Sequence, residues 1–407
     1  MTNLLTYLNP RLEPEEVIDR LTFLPSMLDI NGKTKSQRLS ALQTIYRVFI
    51  PLPIVVETYN KLYDALERAL AKKNLPEIDK QYYENFKGIK GNDFCGIIGG
   101  VDSISIIGLS GTGKTASITR IVSLFTDNEV IEFKKPYKAT IIPCLIVNCP
   151  FDSSVKTLCI EIMRLVDAKI GTNYYAGTVK TTTTTGMLIA SVSNILLNHV
   201  GICVIDEAQN IIKSRNGFNL IGSLTQLVNS CGVSIVMVAN PEAKPFFEQD
   251  LKLARRAIGL EYKPMKYDES FAKFVERIFD YQFTINKTKL TDELLRTIYQ
   301  CSGGIPALVI SLIHDVQEKA IIDDSEVVSR KAFESLFNER YGIIQPSIET
   351  PVRKPARGQK EHLEIITSTS NEVNDDFFFD EVKYAKKNNI DIVEYLKTKL
   401  EIVELWK

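Results

Sequence analysis

Residues 103–120 of the chain read SISIIGLSGTGKTASITR. An apolar segment at residues 104–107 leads into a glycine-rich turn, and Ile118 and Ile121 follow at helical spacing. Residues 108–115, GLSGTGKT, match G-x-x-x-x-G-K-[ST] at every fixed position. Because a strand pattern precedes the motif and a helix pattern follows it, the sequence predicts a phosphate-binding loop in preference to a chance glycine-rich turn.

The residue types of this loop suit a bound nucleotide. We expect Gly108, Gly111 and Gly113 to adopt positive φ angles, which turn consecutive backbone N–H groups inward around a phosphate. The helix that begins near Lys114 adds its N-terminal dipole. Lys114 is expected to reach the β- and γ-phosphates of ATP, and the Thr115 hydroxyl is expected to bind Mg²⁺. The predicted nucleotide-binding residues are Gly108, Ser110, Gly111, Thr112, Gly113, Lys114, Thr115 and Ala116.

Length and composition describe an ordinary globular protein with room for two or three domains. The 407 residues carry a net charge of −1, so contact with DNA would need a local positive surface. The seven cysteines form no C-x-x-C pair and the three histidines lack ligand spacing, which predicts buried thiols in a reducing cytoplasm and no zinc site. Since neither a signal-peptide layout nor an apolar run of about 18 residues occurs, we expect a soluble cytoplasmic protein without membrane contact.

Three further apolar segments predict parallel strands at residues 139–148, 201–205 and 234–239. The second is followed by Asp206 and Glu207, a Walker B pattern. Asp206 is expected to complete the Mg²⁺ shell, and Glu207 to orient the attacking water. The third segment ends at Asn240, which is either a sensor of the γ-phosphate or a turn cap before Pro241; the local sequence favours neither. The predicted catalytic and metal-binding residues of these strands are Asp206, Glu207 and Asn240.

Two other groups of residues have two interpretations each. Arg255 and Arg256 end a helical pattern and are either a solvated helix C-terminus or arginine fingers that reach the ATP of a neighbouring subunit. The threonine-rich segment 171–186 is either an exposed linker or part of a surface that contacts the backbone of a nucleic acid. In the second case the candidate DNA-binding residues are Lys156, Lys180 and Thr181.

The predicted architecture is an α/β core with a parallel sheet between helices, followed by a small all-helical lid. An amphipathic pattern at residues 390–406 follows a basic linker; it is interpreted as a partner-docking helix in preference to a helix that folds back on the core. The predicted regions are an N-terminal partner-binding appendage (1–50), the ATPase core (51–263), the helical lid (264–342) and the flexible linker with the docking tail (343–407).

The order of these parts resembles the AAA+ ATPases: phosphate-binding loop, Asp-Glu after an apolar strand, polar strand tip, paired arginines, and a lid with Gly-Gly-x-Pro. The strings GICVIDEAQN (201–210) and ANPEAKPFFEQDLKLARRA (239–257) resemble one branch, the TnsC/TniB transposition regulators. The resemblance spans about residues 50–340. It implies an ATPase of the bacterial cytoplasm that forms a homo-oligomeric ring or filament around duplex DNA. It also implies two partners, a target selector of the TniQ/TnsD kind and the transposase.

One position departs from many AAA+ relatives, because Ala307 follows Gly-Gly-x-Pro where a second sensor arginine often stands. The resemblance then implies that hydrolysis depends more heavily on Arg255 or Arg256 of a neighbouring subunit. Two other classes of protein stay open: a signalling or defence P-loop switch that does not bind DNA, and a small-molecule kinase. The chain shows no repeat array and no obvious acceptor site, which favours the transposition regulator. No helix presents an obvious base-reading face, so DNA contact is expected to be independent of base sequence.

Overall fold

The computed structural model describes residues 4–73, 103–133, 139–151, 154–180, 182–211, 233–244 and 257–341. All of these residues fall within the unit Met1–Glu349. The predicted linker and docking tail, residues 343–407, lie outside the described residues. Among the helices that the structure describes, none is long and apolar enough to cross a membrane.

A mixed sheet of six strands forms the centre of the structure. In chain order the strands are β1 (Ser103–Gly108), β2 (Ile131–Phe133), β3 (Ala139–Asn148), β4 (Val200–Asp206), β5 (Ser234–Ala239) and β6 (Ala257–Tyr262). Across the sheet their order is β2-β3-β4-β5-β1-β6. β2 is antiparallel to β3, and all other neighbouring pairs are parallel. The carboxyl end of β5 therefore lies between the end of β1, which leads into the phosphate-binding loop, and the end of β4, which carries Asp206.

The strands that the sequence predicts are found, and two more are present. β3 and β5 have the predicted bounds, and β1 and β4 extend the predicted segments by one residue at each end. β2 and β6 are not predicted by the sequence. β2 has only three residues, too few for a periodic pattern. β6 reads AIGLEY and becomes a strand by pairing with β1, which is distant in sequence.

Helices cover both faces of the sheet. They are α1 (Pro14–Leu21), α2 (Lys35–Leu42), α3 (Pro53–Lys72), α4 (Lys114–Val122), α5 (Val155–Ile170), α6 (Tyr174–Thr178), α7 (Thr185–His199), α8 (Glu269–Phe279), α9 (Asp292–Ser302), α10 (Pro306–Ile322) and α11 (Arg330–Leu336). On one face, Leu66 of α3 and Ile118 of α4 are buried in a cluster with Ile202 of β4. On the other face, Ile162 of α5 and Leu196 of α7 are buried in a second cluster. The predicted core, a parallel sheet between helices, is confirmed, with the short antiparallel strand β2 added at its edge.

The five cysteines among the described residues are buried, as the sequence predicts. Burial raises the pKa of Cys144 and of Cys159 to about 12. Since the thiolate is the reactive form of cysteine, these two side chains are inert packing groups at neutral pH.

The all-helical lid consists of α8–α11, and its core includes Phe271, Ile298, Leu312 and Phe333. A segment from the N-terminal region belongs to the same core. Its residues lie on α2 and on the 3₁₀ turn Gln43–Arg47, and the buried ones are Ala41, Leu42 and Ile45. Part of the region predicted as an appendage is thus packed into the lid.

The threonine-rich segment 171–186 is more ordered than an exposed linker, because it contains α6 and the start of α7. The carboxylate of Asp167 accepts the N–H groups of Tyr174 and Tyr175, both at 2.8 Å, and so holds the start of α6. Thr184 caps α7 by accepting the N–H of Met187 at 3.3 Å. Thr184 thus acts as a helix cap, a role that hydrophobic periodicity does not reveal.

Candidate nucleotide-binding site

The phosphate-binding loop joins β1 to α4 and depends on its glycines in two different ways. Gly111 (φ 83°) and Gly113 (φ 90°) adopt the predicted left-handed conformation. The prediction of a positive φ for Gly108 is wrong. A Cβ atom at Gly108 would lie 2.5 Å from the carbonyl oxygen of Tyr262 on β6, so this glycine is required by the close approach of two strands.

Lys114, the first residue of α4, is buried and lies between the loop and β5. Its ammonium donates to the carbonyl oxygens of Gly108 at 2.6 Å and Leu109 at 2.9 Å, and to Oδ1 of Asn240 at 3.3 Å. Burial lowers the pKa of Lys114, and the carboxylates of Asp206 and Glu207 oppose that shift. The loop therefore holds a cationic side chain at its inner side, next to the tip of β5.

Thr115 and Asp206 form the second link across the site. The Thr115 hydroxyl donates to Oδ2 of Asp206 at 2.6 Å. Asp206 is 4% exposed, and its other oxygen, Oδ1, accepts the N–H of Glu207 at 2.8 Å. A hydroxyl beside a carboxylate is a pair of hard oxygen ligands, the kind that Mg²⁺ prefers, so Thr115 and Asp206 fit the predicted metal site.

Glu207 follows β4 with an unusual backbone. Its φ of 55° lies in the left-handed region, which costs a residue with a side chain on the order of 1–3 kcal/mol. The side chain is exposed, and its Oε2 accepts a hydrogen bond from Nε2 of Gln209. A non-glycine residue held in this conformation beside a nucleotide loop is typical of a functional position.

Gln209 links Glu207 to the tip of β5. Its Oε1 accepts the backbone N–H of Asn240 at 3.1 Å, and its side chain is only 4% exposed. The sequence prediction missed this residue, although it stands inside the string GICVIDEAQN. A periodicity argument cannot find it, because its two partners, Glu207 and Asn240, follow two different strands, β4 and β5.

The Asn240 side chain is turned toward the loop. It makes no capping hydrogen bond with the 3₁₀ turn Pro241–Ala243 that follows, and its Oδ1 accepts from Lys114. Of the two interpretations left open by the sequence, this geometry favours the sensor of the γ-phosphate.

The lid contacts the phosphate-binding loop through the Gly-Gly-x-Pro turn. Ala307, in the first turn of α10, donates its N–H to the carbonyl oxygen of Gly111 at 3.1 Å. A Cβ atom at Gly111 would lie 3.1 Å from both Ala307 Cβ and Ile305 Cγ2. The turn itself needs Gly304, whose φ is 74° and whose added Cβ would overlap the carbonyl oxygen of Met265. The position that often carries a sensor arginine thus contacts the loop through its backbone.

The remaining predicted site residues divide into three groups. Ser110 of the loop and Ala116 of α4 are exposed, whereas Thr112 is buried and its hydroxyl donates to the Leu109 carbonyl oxygen at 2.8 Å. Lys156 on α5 and Lys180 after α6 are both exposed. The residues that lie outside the described part of the chain are Thr181, Arg255 and Arg256.

A model of the AAA domain matches residues 100–247. Comparison with curated proteins finds no match. Among solved structures, the chain is similar to a Walker-type ATPase of Pyrococcus abyssi, with 15% identity over 66% of this chain and 73% of that chain and a TM-score of 0.39. It is also similar to the Aeropyrum pernix ORC1 protein in complex with DNA, with 17% identity over 65% of this chain and 64% of that chain and a TM-score of 0.41.

The Aeropyrum pernix ORC2 protein in its ADP form is a further similar structure, with 12% identity over 82% of this chain and 73% of that chain and a TM-score of 0.40. The chain spans just under two thirds of the ORC1 chain that it matches. The AAA-domain match includes the loop and the residues Asp206, Glu207 and Asn240. The chain therefore contains an AAA domain, and its sheet with the flanking helices has the P-loop AAA+ fold.

Proposed function

We propose that the protein is an ATPase that binds Mg²⁺-ATP at the loop of residues 108–115 and hydrolyses it. One observation carries the proposal. The ends of β1, β5 and β4 bring two hydrogen-bonded pairs together at one edge of the sheet, Lys114 with Asn240 and Thr115 with Asp206. A cation, a polar sensor and a carboxylate around an anion-binding loop are the parts that phosphoryl transfer requires.

The mechanism follows from the position of each group. Backbone N–H groups of the loop and the N-terminus of α4 bind the phosphates, and Lys114 exchanges its carbonyl partners for phosphate oxygens. Thr115 and Asp206 would hold Mg²⁺, which when bound neutralises charge on the β- and γ-phosphates. Glu207 orients a water molecule for attack on the γ-phosphorus, and Asn240 contacts the γ-phosphate or that water. The P–O bond to the β-phosphate breaks, and ADP and inorganic phosphate are released.

Two variants test this mechanism separately. Lys114→Ala removes the cation of the loop, so we expect nucleotide binding to fall below detection in a fluorescence titration. Glu207→Gln keeps binding, but turnover falls by about a hundredfold or more because the water loses its carboxylate. Lys273→Ala, an exposed lysine of the lid, serves as the control with unchanged binding and turnover. Wild-type turnover in Glu207→Gln, or wild-type nucleotide binding in Lys114→Ala, contradicts the proposal.

We further propose that hydrolysis serves DNA transposition: the protein assembles on duplex DNA in its ATP state and connects a target selector to the transposase. This finer proposal is supported by the resemblance of residues 201–210 and 239–257 to the TnsC/TniB regulators. The predicted finger residues, Arg255 or Arg256, would make hydrolysis depend on the neighbouring subunit.

Electron microscopy and sedimentation with duplex DNA test the assembly. We expect ordered oligomers on DNA with a slowly hydrolysed ATP analogue and their loss with ADP. A protein that stays monomeric and ignores DNA in both nucleotide states would exclude the transposition regulator and favour the signalling switch. It would leave the ATPase proposal intact, because that proposal is tested by turnover.

A further inference from the structure

We propose that Gln209 is a positioning residue that holds the Glu207 carboxylate in place and joins it to the tip of β5. The inference rests on the proposed ATP hydrolysis, because it concerns the group that orients the water. Its basis is one side chain with two partners: Nε2 donates to Oε2 of Glu207, and Oε1 accepts the N–H of Asn240 at 3.1 Å.

Because Gln209 is buried, the loss of either hydrogen bond would leave a polar group without a partner. Gln209 is 4% exposed, so both polar ends of its amide need partners within the protein. The Glu207 side chain, by contrast, is exposed and starts from a backbone at φ 55°. An exposed carboxylate has many rotamers available, and a buried amide that donates to it restricts them. Because Gln209 is itself fixed by burial, its hydrogen bond holds the catalytic carboxylate of Glu207 in one orientation.

The local turn does not depend on the Gln209 side chain. The 3₁₀ turn Ala208–Ile211 is closed by the backbone, since Asn210 donates its N–H to the carbonyl oxygen of Glu207 at 2.9 Å. The Asn210 side chain adds a bond to the carbonyl oxygen of Cys149 at 3.2 Å. Because these bonds hold the turn, the Gln209 amide is not needed for the turn and can bind Glu207 and Asn240.

The second partner of Gln209 connects the carboxylate to the phosphate end of the site. Asn240 donates its N–H to Gln209 and accepts from Lys114 on its side-chain oxygen at 3.3 Å. The bonds therefore run Lys114, Asn240, Gln209, Glu207, from the group that binds phosphate to the group that orients water. If the γ-phosphate displaces Asn240, the buried Gln209 side chain moves with it and shifts the Glu207 carboxylate.

The main test is Gln209→Met, which keeps the volume and removes both hydrogen bonds. We expect kcat to fall tenfold to a hundredfold, as for a catalytic group displaced by about 1 Å, with KM and the Kd of a fluorescent ATP analogue within twofold of wild type. Gln317→Met is the matched control. Gln317 is a buried lid residue whose amide also bridges two partners, the Phe283 N–H at 2.8 Å and the Tyr281 carbonyl oxygen at 2.9 Å. Its loss is expected to lower the Tm without lowering kcat.

Gln209→Glu separates the two bonds when it is assayed at alkaline pH, where the introduced carboxyl is ionised. A carboxylate accepts from Asn240 but cannot donate to Glu207, whereas a protonated carboxyl beside Glu207 could. We expect kcat as low as in Gln209→Met. A double-mutant cycle then shows whether Gln209 acts through Glu207: kcat of Glu207→Gln/Gln209→Met should equal that of Glu207→Gln alone. A separate structural role would lower kcat of the double variant further.

Three results overturn the inference: kcat of Gln209→Met within twofold of the Gln317→Met control, wild-type kcat in Gln209→Glu, or an additional loss in the double variant. All rates are measured with Mg²⁺, with and without duplex DNA. If the wild-type protein itself shows no turnover under either condition, the ATPase proposal fails and the inference with it. The wild-type rate therefore distinguishes the two failures.

Discussion

Among single residues, Gly108 shows how the loop depends on a strand that lies far away in sequence. A methyl group at this position would meet the backbone oxygen and the Cβ atom of Tyr262, at 2.5 and 2.7 Å. We expect Gly108→Ala to destabilise the fold by about 1–3 kcal/mol, the usual cost of overpacking, and to weaken ATP binding because the loop or β6 must shift. Urea unfolding and a nucleotide titration measure the two effects.

The matched control for Gly108→Ala is Gly186→Ala in the first turn of α7. A Cβ atom there meets nothing within 4 Å, and the backbone has no positive φ. Since alanine favours a helix over glycine, this change is expected to be neutral or stabilising by up to about 1 kcal/mol. Equal effects of the two substitutions would contradict the role assigned to the contact with Tyr262.

Only those residues of the site that belong to a short sequence motif could be predicted. The loop and the Asp206-Glu207 pair are recognised because each binds its ligand with residues that are close together along the chain. Gln209 and the backbone contact of Ala307 have no such signal, because each depends on elements that only the folded chain brings together. The sequence attributes Gly108 to a positive φ angle, whereas the structure attributes it to the close approach of Tyr262 on β6. This contact could not be predicted because the sequence does not predict β6.

Among helices and strands, α2 is joined to the lid by a buried ion pair. Arg38 donates to the Glu326 carboxylate at 2.6 and 2.8 Å and to the carbonyl oxygen of Phe283 at 3.0 Å. Because Glu326→Gln leaves the Arg38 charge buried without its partner, we expect a loss of about 3–5 kcal/mol in the free energy of unfolding near neutral pH. Lys35→Ala breaks the exposed pair with Asp324 between the same two regions and should cost about 0–1 kcal/mol.

The ion pair also predicts a pH dependence. Hydrogen bonding from Arg38 lowers the pKa of Glu326 below its ordinary value of 4.5, and the nearby Lys35 adds to that shift. The contribution to stability is therefore complete above about pH 4.5 and is lost as the pH falls through the lowered pKa of the folded state. Urea unfolding of wild type and Glu326→Gln across this range should show the difference between them shrinking with acid. A constant difference would contradict the assignment.

The elements themselves were predictable where the hydrophobic pattern is long. β3, with ten residues, has the predicted bounds, and the all-helical lid predicted after the core is formed by α8–α11. β2 and α6 were missed because they have three and five residues, fewer than a period-based signal needs. They exist through pairing with β3 and through the cap that Asp167 provides.

For the molecule as a whole, the N-terminal region contacts both the α/β core and the lid. Asn9 donates its N–H to the carbonyl oxygen of Phe125 at 2.8 Å, and the Arg120 guanidinium of α4 lies 4.5 Å from the ring centre of Phe49. α2, from the same region, is buried in the lid core. The sequence shows this region as polar and broken by prolines, so its packing could not be read from its own pattern. Its role as a partner-binding appendage stays a prediction.

The net charge of the whole molecule limits how it can bind DNA. With a net charge of −1, any affinity for duplex DNA must come from local groups, and the exposed Lys156 and Lys180 are the predicted ones. We expect Lys156→Ala and Lys180→Ala each to weaken binding equally on different DNA sequences. Each should also reduce the slope of log K against log salt by about 1, because one phosphate contact is lost.

Lys273→Ala provides the control, since this exposed lysine lies on α8 and pairs with Glu269 at 2.7 Å. Binding of a labelled duplex at several salt concentrations, in the presence of the ATP analogue, measures all three variants. If Lys156→Ala and Lys180→Ala keep the wild-type slope while the assembly still forms, the DNA surface lies elsewhere. Other residues of the oligomer would then have to contact the DNA. The threonine-rich segment would serve only to connect α5 to α7.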